Sequence, residues 1–343
     1  MNRKHRQQQT DEFQYRGRAV TRVTHEERKM LKRRMGTQRY HARLGMEFDR
    51  ELKMGGIIRW CPMAWLRPIA SFGLHLTGLW WPGHRNYLSV RVREETFTLA
   101  RLPASFDGFT ILHLSDLHFD LDRDFPAVLA RVLETIRGRY DIVAITGDFN
   151  NYTVHRTTEA LRCTARMVRQ SLSAPAYGVL GNHDSLLDVP AFEEAGIRIL
   201  LNESVTIRRG GDSLLLAGID DPNIFKTGDL ASALAARNPG EPCVLLAHAP
   251  ACFAEAASKD VDLLLCGHVH GGQICTPGGG ILPWRNWRFP HHVRRGRWRE
   301  GELQGYTSFG TGACGIPIRF NCPPEVTLIR LKAGASHDAG GVK

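Results

Sequence analysis

Five short stretches carry residue types that hold metal ions, and each follows an apolar run. They are Asp116 with His118, Gly147-Asp148, Gly181-Asn182-His183-Asp184, His248, and Gly267-His268-Val269-His270. Residues i and i+2 of an extended chain point the same way, so Asp116 and His118 can converge just past a strand end. In open α/β sheets, ligands collect beyond the carboxyl ends of strands. Glycine beside a ligand lets the chain turn sharply and approach an ion closely. A single histidine after a strand is ordinarily a satisfied surface or core residue. Five such endings in succession are hard to explain as packing. The mixture of His, Asp and Asn suits Mn²⁺, Fe or Zn²⁺ rather than Ca²⁺, which takes oxygen ligands alone.

The elements that must position these residues follow from periodicity. Residues 111–114 open the domain as a buried strand, and 141–146, 176–180, 197–201, 205–208, 214–219, 244–247, 261–266, 304–309 and 326–331 read as further strands. Helices are expected over 125–136, 157–172, 189–195, 230–236 and 252–258, and an edge hairpin over 88–93 and 95–99. The alternation indicates an α/β fold, with a hairpin-rich second half suggesting a second sheet. Thr24 is positioned to cap a helix through Arg34 that stops at Gly36.

With 343 residues, 43% of them hydrophobic, the chain can bury one large core or two modest ones. The eight cysteines form no Cys-x-x-Cys pair, which suits reduced thiols in a cytosolic compartment. Residues 1–60 hold 16 Lys and Arg against 7 Asp and Glu, a net +9 of the total +10. The basicity belongs to an N-terminal arm, which points to an anionic surface as partner. Residues 57–81 are apolar and Trp-rich but interrupted by Arg59, Arg67, Pro62 and Pro68. A central arginine opposes a span, and a basic arm before a Trp-rich stretch fits an interfacial anchor.

The order Asp-x-His, Gly-Asp, Gly-Asn-His-Asp, His and Gly-His-x-His resembles the calcineurin-like metallophosphoesterase family over residues 109–332. Gly271-Gly272-Gln273 and Gly315-Ile316-Pro317-Ile318-Arg319-Phe320 resemble its membrane-associated branch, which includes enzymes like UDP-2,3-diacylglucosamine pyrophosphatase of lipid A synthesis. The resemblance implies a four-layer α/β/β/α sandwich of two mixed sheets flanked by helices, and a binuclear centre. One divalent ion would sit on Asp116, His118, Asp148 and His270, the second on Asp148, Asn182, His248 and His268, with Asp148 bridging. Mn²⁺ is the first expectation, Fe or Zn²⁺ the alternatives. Two such ions clamp a phosphoryl group and acidify a bridging water. His183 would contact the scissile phosphate or protonate the leaving group, with Asp184 orienting its ring.

The expected organisation is a basic, partly disordered arm over 1–54, a membrane-interface segment over 55–84, the catalytic domain over 85–333 and a flexible tail over 334–343. Residues 284–298 interleave Trp and Arg directly after the Gly-Gly-Gln segment and would overhang the site. Arg285, Arg288 and Arg319 are candidate substrate-binding residues. The expected activity is hydrolysis of a phosphodiester or pyrophosphate by metal-activated hydroxide, on a membrane-associated substrate such as UDP-2,3-diacylglucosamine. The expected location is cytoplasmic, peripheral to the inner face of the membrane, with a single span as the alternative. A nuclease or soluble phosphodiesterase on the same scaffold is the first rival. The near-neutral body argues against nucleic acid as partner, since nuclease clefts need a basic track. A metal-free scaffold protein is the second rival, opposed by intact ligands at every position.

Overall fold

A computed structural model describes residues 23–55, 62–151, 158–281 and 288–334. Two six-stranded sheets form the centre. The first runs β1 (Arg91–Leu99), β12 (Glu325–Ala333), β2 (Thr110–Leu114), β3 (Ile142–Ile145), β4 (Ala176–Gly178) and β5 (Ile197–Ile199). The second runs β10 (Gly296–Glu300), β11 (Leu303–Thr307), β9 (Leu263–Cys266), β8 (Cys243–Leu246), β7 (Asp212–Gly218) and β6 (Glu203–Arg209). β12 is antiparallel to β2, and β2 to β5 run parallel. In the second sheet β7, β8, β9 and β11 are parallel, with antiparallel β6 and β10 at its edges.

Alternation along each strand divides the core. Ile111 of β2 and Ala144 of β3 point inward to meet Leu216, Val244 and Leu265 of the other sheet. Leu112, Leu114, Val143 and Ile145 point outward beneath helices α5 (Phe125–Thr135), α6 (Thr158–Ser171) and α7 (Val189–Glu194). Leu215, Leu245 and Leu264 face α8 (Leu230–Ala233) and α9 (Phe253–Ser258) on the far side. Strands covered on both faces read as continuous apolar runs, as β2, β3, β8 and β9 do. The molecule is thus the four-layer α/β/β/α sandwich that the sequence led us to expect.

Two expectations are corrected. The hairpin over 88–99 is instead the single strand β1, paired in parallel with β12 along its whole length. Residues 25–55, most of them within the expected basic, partly disordered arm, are folded onto the body. They build α1 (His25–Met35) and α2 (Thr37–Gly55), which pack on the first sheet's helical layer through Leu31, Met35 and Tyr40. Thr24 and Glu27 form a reciprocal capping box at the start of α1, and Gly36 ends it at φ +78°. Arg34 then pairs with Glu193 at 3.0 Å and with Glu203 at 2.5 Å. Buried apolar and ionic contacts, not charge alone, decide where this segment lies. Residues 1–22 of the expected arm and 335–343 of the expected tail lie outside the described residues.

The Trp-rich stretch forms α3 (Pro62–Leu76) and α4 (Trp80–Tyr87). No helix among the described residues is long and apolar enough to cross a membrane. Ile69, Phe72, Leu76 and Trp81 are 65%, 70%, 77% and 70% exposed, an apolar patch left uncovered while Tyr87 is fully buried. Cys163, Cys243, Cys252, Cys266, Cys275, Cys314 and Cys322 are free thiols. Cys61 lies outside the described residues.

Candidate metal centre

All seven expected ligands meet at the carboxyl ends of the two sheets. Asp116 and His118 follow β2, Asp148 follows β3, and Asn182 follows β4; His248 follows β8, and His268 and His270 follow β9. Five of them leave their strands in the left-handed region: Asp116 (φ 55°), His118 (43°), Asp148 (56°), His268 (70°) and His270 (53°). For residues with a Cβ this conformation costs about 1–2 kcal/mol each. The fold sustains it by overdetermining the loops: the amides of Asp116 and His118 donate to Gly147 O and Asp148 O, both at 3.0 Å. Glycine serves one clear purpose here. A Cβ on Gly181 would collide with the Asp148 carboxylate, and one on Gly267 with Ser115 and Asp116.

The donor atoms form two overlapping clusters. Asp116, His118 and Asp148 offer atoms all within 4.8 Å of one another, and so do Asp148, His248 and His268. His270 Nε2 lies 3.3 Å from Asp116 Oδ1 and 3.2 Å from His118 Nε2. Around the second cluster, Asn182 Oδ1 lies 3.0 Å from His248 Nε2, which is 3.3 Å from Asp148 Oδ2. His268 Nδ1 is 3.1 Å from the same His248 nitrogen. Asp148 is common to both clusters, as a bridging carboxylate must be.

Backbone carbonyls set the imidazole tautomers. His118 Nδ1 donates to Asn150 O at 2.7 Å, and His248 Nδ1 donates to Thr146 O at 2.8 Å. Each therefore aims the lone pair of Nε2 at the centre. Asn223 Nδ2 lies 3.1 Å from His268 Nε2, and the Nδ1 of that ring faces His248 Nε2. This convergence of carboxylate oxygens and imidazole lone pairs fits two divalent ions.

Electrostatics agree with that fit. Burial pushes Asp116 up to about 6 and His118 down to about 3. Burial would also raise Asp148, but the His248 and His183 imidazoles hold its carboxyl well below the usual range. His248 in turn, despite burial, is raised to about 10 by Asp148. The centre concentrates negative charge and recruits positive charge, which a divalent cation supplies better than a proton.

His183 stands beside the clusters. Its amide donates to Asp148 Oδ1 at 2.8 Å, and its Nδ1 donates to Asn151 O at 2.7 Å. Nε2 then faces the centre, 3.9 Å from Cys314 Sγ. Burial lowers this imidazole, but Asp148 and Cys314 together raise it to about 9. A protonated Nε2 is a proton donor aimed at the site.

Two expected roles are corrected. Asp184 does not orient the His183 ring, because adjacent side chains point apart. Its Oδ2 accepts from the amides of Asp148 at 2.7 Å and Gly181 at 2.9 Å, and its Oδ1 from those of Phe149 at 2.9 Å and Asn150 at 3.2 Å. It is the knot that fixes the β3 and β4 loops together. Arg319 cannot meet substrate: it is fully buried, and its guanidinium donates to the carbonyls of Gly310, Gly312, His270 and Cys322. Its fork matches converging carbonyls as well as it would a phosphate. Arg288 is exposed, next to Phe289, whose ring meets His268 edge-on at 5.9 Å. Arg285 lies outside the described residues.

Sequence reasoning missed several contributors. Cys314 offers its sulfur to a cluster with His118 and His270. Gln273 accepts from the Cys314 amide at 2.9 Å and donates to Cys314 O and Ile316 O, both at 3.1 Å. This joins the Gly-Gly-Gln segment to the Gly-Ile-Pro loop. The resemblance had singled out both segments, but neither Cys314 nor the contact between them. Arg43 and Arg50, on α2, reach the loop of Asn182 from more than 130 positions away, and no sequence pattern marked them.

Comparison with known proteins adds an independent line. Residues 109–272 match the family described as calcineurin-like phosphoesterase. The Bacillus subtilis metallophosphoesterase YkoQ is 32% identical over 64% of this chain and 83% of its own length. Phosphodiesterase YaeI of Escherichia coli is 28% identical over 65% of this chain and 82% of its own. A Bos taurus transmembrane protein with a metallophosphoesterase domain is 32% identical over 68% of this chain and 55% of its own.

Proposed function

Because the chain belongs to the calcineurin-like phosphoesterases, metal-dependent phosphoester hydrolases, we propose that it cleaves a phosphodiester or pyrophosphate bond in a membrane-associated substrate. The observation that carries the chemistry is the pair of clusters sharing Asp148, with His183 Nδ1 tied to Asn151 O so that Nε2 faces them. Bound there, two divalent ions, Mn²⁺ foremost, would neutralise phosphoryl oxygens and acidify a water. Asp116, His118, Asp148 and His270 would hold one, and Asp148, Asn182, His248 and His268 the other.

The chain's own residues do the rest. His118 and His248 are held by carbonyls in the tautomer that binds. His183, protonated at Nε2, hands a proton to the departing alkoxide or phosphate oxygen. Asp184 keeps that geometry by clamping the two loops.

Two features support a lipid setting. The apolar side chains Ile69, Phe72 and Leu76 recur at helical spacing on α3 and stand in solvent with Trp81. The N-terminal 60 residues carry +9, although Arg34, Arg39 and Arg43 are committed to acidic partners in the body. The substrate class would be a lipid-linked phosphate ester, of which UDP-2,3-diacylglucosamine is one example, and the enzyme would sit peripherally at the inner membrane face. The name of YaeI supports a diester, and that of the Bos taurus relative a membrane.

The test is a Mn²⁺-supplemented hydrolysis screen across UDP-diacylglucosamine, bis-p-nitrophenyl phosphate and single-stranded DNA. Cleavage of the first two and sparing of DNA is expected. Rapid DNA cleavage with no turnover of the lipid-linked compound would establish the nuclease instead.

A further inference from the structure

Helix α2 lies outside the residues matched to the family, yet it delivers two arginines to the catalytic loop. Arg43 and Arg50 are seven residues apart, two helical turns, and so share a face. Arg43 is wholly buried. Its guanidinium donates to Gly181 O at 3.1 Å and Asp184 O at 2.8 Å, pairs with Glu47 at 2.7 Å, and stacks 3.6 Å from the Phe225 ring centre. Glu47 accepts from the Leu186 amide and the Ser185 hydroxyl, both at 2.9 Å. The helix is thereby fastened to the loop of Asn182 and His183 and has little freedom to slide.

Arg50, two turns on, is placed differently. It is half-buried, and Nη1 donates to Asn182 O at 2.6 Å. Among the described residues this is its one hydrogen bond, so most of the five guanidinium donors remain available. Asp148 and Asp221 attract it, and Arg43 repels it. Arg43 and Arg319, also at this end of the sheets, are fully buried and committed to protein acceptors, and the Arg67 guanidinium lies against Gly315.

The charge balance decides what Arg50 is for. With divalent ions on Asp148, the carboxylate that attracts Arg50 is neutralised, and a guanidinium beside a positive centre is repelled. An anion lying between the two relieves both. One phosphoryl group is already served by the ions and His183. The arginine fork suits a further set of anionic oxygens, held two at a time.

We propose that Arg50 is a specificity-determining residue that binds a second phosphate next to the scissile one, so that the site selects pyrophosphate-linked substrates over simple diesters. This rests on the phosphoesterase reading above and narrows it. It also gives α2 a role: the N-terminal helices complete the substrate site as well as covering the core.

The test uses the full-length, Mn²⁺-loaded protein and titration calorimetry with two probes, methylenediphosphonate and orthophosphate. Arg50→Gln should weaken methylenediphosphonate binding about 10- to 100-fold, as expected when a charge-assisted pair is lost. Orthophosphate binding should change by less than about 3-fold, and metal content not at all. Arg50→Lys should restore only part of the lost affinity, because an ammonium cannot fork. Equal weakening of both probes, no change in either, or loss of metal from Arg50→Gln would each overturn the proposal. A wild-type protein that discriminates between the probes but hydrolyses no phosphoester leaves Arg50 standing and sinks the functional reading. Hydrolysis without discrimination does the reverse.

Discussion

The Nε2 atoms of His118 and His270 lie 3.2 Å apart, with the two rings stacked at 18°. His118 already donates through Nδ1, so its Nε2 presents a lone pair toward its neighbour. That lone pair, together with the buried carboxylates of Asp116 and Asp148, favours a cation at the site. Chelation should therefore lower stability. Restoring Mn²⁺ at 100 times its Kd contributes about 2.7 kcal/mol, which for a domain of this size raises Tm by roughly 5–10 °C. Calorimetry that shows no shift on adding Mn²⁺, Fe²⁺ or Zn²⁺ to stripped protein would exclude a resident metal.

Asp148 serves both clusters, so its loss should empty both. Asp148→Asn is expected to fall from two ions per chain toward none, and activity with it. Elemental analysis decides: retention of both ions would rule out the bridging role.

His183 is expected to act on the reaction and not on metal content. His183→Ala should keep both ions and lose about 10²–10⁴-fold in kcat, the contribution of a positioned acid. The deficit should shrink for p-nitrophenyl esters, whose leaving group needs no proton. A variant that loses metal instead would make His183 a ligand.

His113 makes acid stability measurable. It is buried on the inner face of β2, with Nε2 2.9 Å from Thr146 Oγ1, and burial lowers it from 6.5 to about 3. Between those values the unfolded chain binds a proton that the folded chain refuses. Its contribution is complete above pH 6.5 and declines as pH falls toward 3, by up to about 1.4 kcal/mol per pH unit. In chelator, urea unfolding of His113→Leu between pH 7 and 4 should show a slope shallower by about that amount. Parallel slopes for variant and wild type would show that His113 does not titrate on unfolding.

The apolar patch can be tested apart from catalysis. Phe72→Ser with Leu76→Ser removes two side chains worth about 1.5–3 kcal/mol each if buried in lipid. Salt-resistant sedimentation with anionic vesicles should drop at least tenfold, while hydrolysis of bis-p-nitrophenyl phosphate stays unchanged. Undiminished sedimentation would assign the patch another occupant.

The candidate ligands were legible as a group because each closes an apolar strand, and strand ends are where a sandwich gathers its loops. Every one of Asp116, His118, Asp148, Asn182, His248, His268 and His270 reached the centre. Arg319 was misjudged because a sequence displays charge but not solvent access, and a ring of carbonyls can satisfy a guanidinium as well as a phosphate can. Asp184 was assigned to the adjacent ring when its acceptors lie in another loop. The segment over 25–55 was read by its charge. Its buried Leu31, Met35 and Tyr40 are too sparse among polar residues to announce a packed face. Likewise the hairpin over 88–93 and 95–99 placed a break at Glu94, but β1 runs unbroken as an edge strand, where charge at the rim is tolerated.

The ligands divide between the sheets: Asp116, His118, Asp148 and Asn182 leave the first, His248, His268 and His270 the second. Ions held by both sets would staple segments of the chain that are 66 or more positions apart. Neither sheet alone can present a full coordination shell, so tight metal capture must follow the docking of one sheet on the other. In a refolding experiment, uptake of Mn²⁺ would act as a clock for that last step. Chelator added before docking should leave folding rates unchanged, and chelator added afterwards should speed unfolding.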